Sequence, residues 1–357
     1  MTVAASRALW TRLRDASLVD GEMPQPAARS PWFVRVMLGV AGWIGATFLL
    51  GGLSFAIFQA LDHAAFAFGL GVVLCAGAVA LFRASPEGDF SGQFGLAVSL
   101  AGQALMVYAL MRWFGHSFRG AALAVALQQA LLFVLVPNFV HRVWASWTGA
   151  YAAFFALGQA GLAEFAPAAA TLAFLWVWLA EFDHPRRGSL LRAGGYGLTL
   201  AAVQTAVLQG ALWTAWVERL GSRGTLVNGL PISLGGLAAG LVLVWAVYRL
   251  LRREGVALSA PHGRFALAGA GVIALVSLKA PGVGPAVAIL VTGYANGNRV
   301  LAGLGVLALL GYLSHYYYAL QATLLEKSAL MAVAGITLLL ARLALRRAWP
   351  GKEARDA

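Results

Sequence analysis

The sequence predicts an all-α fold, a polytopic transmembrane bundle of about twelve helices, and three observations lead there. Of 357 residues, 60% are hydrophobic and 11% charged, against about a quarter charged in a soluble domain. Mean hydropathy is +0.76. Beyond residue 35 the chain divides into uncharged apolar stretches of roughly span length, with its cations gathered between them. A soluble or disordered chain is excluded, and no polar stretch is long enough for a separate catalytic domain.

Residues 1–35 read as a cytoplasmic head. Leu9, Trp10 and Leu13 share one side of a short amphipathic helix among Arg7, Arg14 and Asp15, and Pro24 and Pro26 end it. Such a helix is expected to lie on the membrane surface or under the bundle; docking a partner is the other reading. The head is too long for a cleavable signal, so Val36–Phe58 is expected to stay as the first span. The bundle fills 36–346. Its further spans are Ala64–Phe82, Phe94–Met111, Gly120–Val136, Val143–Leu162, Ala166–Ala180 and Ala193–Val217. Ile232–Leu250, Phe265–Leu278, Gly282–Asn298, Val300–Tyr318 and Ala329–Leu345 complete them, and 347–357 form a cytoplasmic tail. Ala166–Ala180, Phe265–Leu278 and Gly282–Asn298 are short for a hydrocarbon core of about 30 Å.

Charge placement tests the count. With the N-terminus inside and twelve crossings, 20 of the 26 Lys and Arg residues fall on the cytoplasmic side. The outer loops hold only Arg112, Arg119, Arg219, Arg223, Lys279 and Lys327. Losing one short span would expel the basic tail, whereas a re-entrant hairpin near 265–298 would not. Twelve crossings, or ten plus that hairpin, are expected, with both termini cytoplasmic. The net charge of +12 therefore reports orientation toward membrane lipid, and no nucleic-acid partner is expected. Trp32, Trp113, Trp144, Trp147, Trp213, Trp216 and Trp245 fall near span ends, where indole rings favour the headgroup layer.

Catalytic patterns are missing. The one cysteine, Cys75, allows neither a disulfide nor a thiolate metal site. There is no HExxH, GxSxG or Walker A pattern. The six histidines include no pair at i, i+3 or i+4. No metal, cofactor or catalytic residue is expected. Charges in mid-span, the usual mark of proton relays, are also lacking. That disfavours a carboxylate-relay pump and an aspartyl intramembrane protease, and leaves a carrier for an uncharged or amphipathic solute.

The polar groups in mid-span are amides: Gln103, Gln128, Gln129, Gln204 and Gln209. Each is either an interhelical hydrogen bond or part of a wet pathway. Gln128 and Gln129 diverge by about 100° and cannot both face one partner. Among 42 glycines, Gly42, Gly45, Gly51 and Gly52 in the first span, with Gly236 and Gly240 in the eighth, allow close helix approach. Pro281, Gly282, Gly284 and Pro285 form either a tight turn or a discontinuous helix of the kind that builds transporter sites. His315, Tyr316, Tyr317, Tyr318, Gln321, Glu326 and Lys327 form either an interfacial aromatic belt with a local ion pair or the outer mouth of a cavity.

Longer patterns add a resemblance. The head carries Leu9-Trp-Thr-Arg-Leu13, Leu18-Val-Asp-Gly21 and Pro31-Trp-Phe-Val-Arg35 leading into Ala41-Gly-Trp43. The C-terminal third carries Ala280-Pro-Gly282, Gly297-Asn-Arg299, Gly303-Leu-Gly305, Leu313-Ser-His-Tyr-Tyr-Tyr318, Thr323-Leu-Leu325 and Lys327-Ser328. Together they resemble the uncharacterised bacterial integral-membrane family catalogued as domain of unknown function 4401, over nearly the whole chain. The resemblance implies an inner-membrane protein and a small GDYxxLxY-type membrane protein as companion. It implies no reaction and carries over no catalytic residue.

Three readings stand at this point. A transporter-like protein would bind its solute among the amide-bearing helices and the Pro281–Pro285 segment. An assembly or envelope-maintenance factor would act through a partner membrane protein, using its glycine-rich faces and its head. An intramembrane enzyme on lipid-linked substrate would need His63, His116 and Glu164 to meet on the outer side.

Overall fold

In hydrocarbon, backbone amides must be satisfied within their own segment, and this chain does so with helices. The computed structural model describes residues 3–17, 19–23, 31–55, 62–85, 88–115, 117–181, 184, 187–208, 234–278 and 280–319. It also describes six helical positions between 325 and 343. Among these residues all regular structure is helical. In chain order the helices are α1 (Val3–Asp15), α2 (Trp32–Gly52), α3 (Ala64–Ala84), α4 (Asp89–Phe114), α5 (Phe118–Leu135) and α6 (Phe139–Leu157). Then come α7 (Ala166–Ala180), α8 (Gly188–Leu208), α9 (Leu234–Arg253), α10 (Pro261–Ser277), α11 (Val283–Ala295) and α12 (Arg299–Ala319).

Polar residues between the apolar runs start several of these helices. Ser117 Oγ accepts from the Gly120 amide at 3.1 Å, Asn138 Oδ1 from the His141 amide at 3.0 Å, and Asn298 Oδ1 from the Leu301 amide at 3.1 Å. Each satisfies a donor that a helix N-terminus leaves open.

Among the described residues five helical runs are long and apolar enough to cross a membrane: Ala64–Ala84, Asp89–Phe114, Phe118–Leu135, Phe139–Ala180 and Leu234–Arg253. The fourth holds 42 residues, about 63 Å at 1.5 Å per residue, twice a bilayer core. It is a hairpin. Between α6 and α7 the chain passes through a π-turn (Gly158–Leu162) and a 3-10 turn (Ala163–Phe165), and Gly161 takes φ +80°. Ser146, near the start of α6, donates to the Gly194 carbonyl at 3.0 Å. Trp178, near the end of α7, donates to Thr199 Oγ1 at 3.1 Å and covers Gly195. Gly194 and Gly195 are adjacent, so the chain returns to the level from which α6 began.

Three further pairs of successive helices run antiparallel. On α3 and α4, Phe82 lies over Gly95, and a Cβ on Gly71 would stand 2.6 Å from the Gly102 carbonyl oxygen. On α9 and α10, Gly236 meets the Ser277 carbonyl and Gly240 meets Ala274. On α11 and α12, Gly305 meets Leu290 and Gly293 meets Ala302. The α10–α11 turn thus reaches the first turn of α9. At its far end α11 meets the end of α9, where Arg253 donates to Asn296 Oδ1 at 3.2 Å.

The main core joins α6 to α12 around Phe174, Leu175, Trp178, Leu243, Ile289 and Leu301. A second cluster, with Cys75, Phe82, Leu96, Met106, Leu132 and Val136, ties α3 and α4 to the end of α5. The outward faces are apolar too, as at Phe48, Val73, Leu127, Trp176, Leu241 and Leu307.

Candidate functional site

Most expected site residues can be placed. Gln103 on α4, with Gln128 and Gln129 on α5, is buried. Gln103 Nε2 lies 2.7 Å from His141 Nε2 on α6. With the amide nitrogen as donor, the imidazole keeps its proton on Nδ1. His141 is fully buried. Five buried polar atoms here have no protein partner: Gln103 Oε1, Gln128 Oε1 and Nε2, Gln129 Oε1 and His141 Nδ1. Such atoms each cost about 1–3 kcal/mol unless they are hydrogen-bonded, so this region favours water or a polar solute group.

Beside the cluster lies a cavity of about 430 Å³ among α5, α6, α7 and α8. Ala130, Phe133, Ala145, Gly149 and Leu198 form much of its wall, and Gln129 and Ser146 supply its polar groups. A Cβ on Gly149 would stand 2.9 Å from the Gln129 Cβ, so the glycine keeps room at this wall. His141 is one helical turn from Ala145, so the imidazole and the cavity wall belong to the same stretch of α6.

Gln204 sits elsewhere. Its Oε1 accepts from Trp147 Nε1 at 2.8 Å, which makes it a tie between α6 and α8. That also gives Trp147 a partner inside the bundle, whereas Trp113 and Trp144 are exposed. Pro281 and Gly282 form the turn between α10 and α11, while Gly284 and Pro285 are buried in the first turn of α11. Proline is tolerated there because the amide it lacks would have had no helical partner. The break inside an apolar run lies instead at 158–165.

On α12, His315 is half-buried and Tyr318 is 82% exposed, although i, i+3 spacing puts them near one face. Tyr316 is helical, and Tyr317 packs edge-on against Tyr318 at 5.5 Å. The exposure of Tyr318 fits the interfacial-belt alternative, and Tyr317 is half-buried. Gln209, Gln321, Glu326, Lys327, His116, Trp213 and Trp216 lie outside the described residues.

Sequence reasoning missed His141, which lies three residues after Asn138 and reads as a span end. The short Val136-Pro137-Asn138 connection was the available signal, since Val136 at the turn is itself fully buried and so draws the start of α6 inward.

Long apolar helices around buried amides mark a membrane protein of the polytopic helical class. Within that class the chain belongs to the family described as Domain of unknown function (DUF4401), which matches residues 31–348. Neither a curated protein nor a solved structure gives a significant match.

Proposed function

We propose that this is a multi-pass protein of the bacterial inner membrane that binds, and carries across the bilayer, a small uncharged or amphipathic solute. The observation that carries the reading is the set of unpartnered buried atoms of Gln103, Gln128, Gln129 and His141 beside a largely apolar cavity. A neutral solute bearing one donor and one acceptor suits these groups, and its apolar part suits the cavity wall. A fixed charge would find no counter-ion there, because no acidic or basic residue lines the cavity.

Helix pairing from α2 to α12 supports crossings that alternate in direction, and the proposed twelve-crossing topology with cytoplasmic termini extends that alternation. Followed through the antiparallel hairpins, Arg83, Arg142, Arg192, Arg249, Arg252, Arg253, Arg264 and Arg299 fall at one end of the bundle. Arg112 and Arg119 fall at the other. This is the asymmetry of the positive-inside rule. The reach of the α10–α11 turn to the start of α9 favours two full crossings over a re-entrant hairpin.

The test is aqueous access at position 128. In a Cys75→Ala background, Gln128→Cys is challenged with a membrane-impermeant thiol reagent from each side. Labelling that a solute suppresses is expected. Absence of labelling from both sides in folded protein would remove the carrier reading. Crosslinking to a small membrane partner would then decide for the assembly role.

A further inference from the structure

Toward the end of the bundle that carries Arg112 and Arg119, a second cavity of about 310 Å³ lies among α4, α5, α6 and α8. It shares no lining residue with the cavity beside Gln129. Trp147, Tyr151 and Phe155 line it from α6 at intervals of four residues, which sets three aromatic rings along one face of that helix. The Trp147 ring is fixed twice, edge-on to Trp144 at 5.2 Å and through its hydrogen bond to Gln204. The wall from α4 and α5 is aliphatic, formed by Met111, Ala122 and Val125.

Among the described residues no acidic or basic group lines this cavity, and its non-aromatic polar residues are Thr148 and Gln204. The Thr148 hydroxyl donates to the Trp144 carbonyl at 2.8 Å. Gln204 Oε1 accepts from Trp147 Nε1 at 2.8 Å. An indole N–H can only donate, so this bond fixes which end of the amide is oxygen. What Gln204 then offers the cavity is the pair of donors on Nε2, and these call for an acceptor on the ligand.

The space suits a flat, uncharged molecule. Aromatic walls favour offset or edge-on contact with another conjugated ring. The volume is at the small end of ligand cavities, which fits one substituted ring. Met111 is 42% exposed and marks a rim on the outward surface, where a ligand dissolved in the membrane enters and a hydrocarbon tail can remain. A neutral ring with carbonyl acceptors and an apolar tail is the make-up of a membrane quinone.

We propose that the cavity lined by Trp147, Tyr151, Phe155 and Gln204 binds the ring of a quinone, with Gln204 Nε2 donating to a ring carbonyl and any tail leaving past Met111. The site is separate from the amide cluster and stands whether or not the chain carries a solute.

The test is thermal unfolding of the purified full chain in a neutral maltoside detergent, in a Cys75→Ala background that prevents thiol addition to the quinone. Duroquinone, decylubiquinone and durene are titrated in turn; durene carries the methyl groups of duroquinone on a ring without carbonyls. Both quinones are expected to raise Tm by about 2 °C or more, and durene is not. Gln204→Leu should cut the rise to less than half, and Ala152→Phe, which fills the cavity with Gln204 retained, should abolish it. Leu127→Phe, which adds a ring on the outward face of α5, should keep it. A larger rise with decylubiquinone supports a membrane quinone as the ligand, and an equal or smaller one supports the ring site with a tailless quinone as its source. No rise with either quinone, an equal rise with durene, or a rise undiminished by Gln204→Leu or by Ala152→Phe overturns the proposal.

Discussion

Gln103 and His141 form a polar contact of 2.7 Å between fully packed helices, and the cost of breaking it depends on what is left behind. Gln103→Leu strands the imidazole nitrogen in a buried site, so a loss of about 1–3 kcal/mol is expected. Adding His141→Phe removes the stranded group and should recover part of that loss, as read by denaturant unfolding in detergent. Gln204→Leu is expected to cost less, about 0.6 kcal/mol, the average for interhelical hydrogen bonds in membranes. Because Gln204 does not line the cavity beside Gln129, the variant should keep solute binding. The amides were legible because polar groups stand out in apolar runs. Which amides are ties and which lack partners was not, because that depends on the register of helices distant in sequence.

At the scale of elements, glycines separate into contacts and open positions. A Cβ on Gly102 would stand 2.7 Å from the Gly71 carbonyl oxygen and 2.9 Å from Cys75 Sγ. Gly102→Val is therefore expected to force α3 and α4 apart and to lower Tm. Gly51→Ala and Gly52→Ala meet nothing within 4 Å, so they should be neutral or slightly stabilising through helix propensity. The same measurement on all three separates packing from composition. All six glycines read from the sequence as close-approach sites, but only Gly42, Gly45, Gly236 and Gly240 have neighbours that a Cβ would touch. Element boundaries show the same limit. The apolar runs were legible, and so was the reversal after Leu162, where one predicted span ends and the next begins at Ala166; the π-turn through Gly161 that makes it was not.

For the whole molecule, the hairpin pairing predicts where each connection emerges. Alkaline phosphatase fused after Gly115 should be active, and fusions after Gly88 or Gly255 should be inactive, with a fluorescent-protein fusion giving the converse. Activity after Gly255 would invert the proposed topology. The short helices were legible as apolar runs, Ala166–Ala180 to the residue, but their shortness was not explained by the sequence. α11 has 13 residues and α7 has 15, about 20 and 22 Å, less than the core thickness. Both contribute fully buried residues to the centre of the bundle, Ile289 from α11 with Phe174 and Leu175 from α7. A helix that faces other helices need not match the lipid, so hydropathy and length criteria suited to lipid-facing spans undercount it.

The turn through Gly161 bears on how the chain enters the bilayer during synthesis. α7 is strongly apolar but only about 22 Å long, so it is expected to enter beside α6 as the second arm of a loop with the turn leading. Insertion of residues 139–180 together, after both arms have left the ribosome, is the expected outcome. Lengthening the link at Gly161 would uncouple the arms and leave everything downstream exposed to inversion.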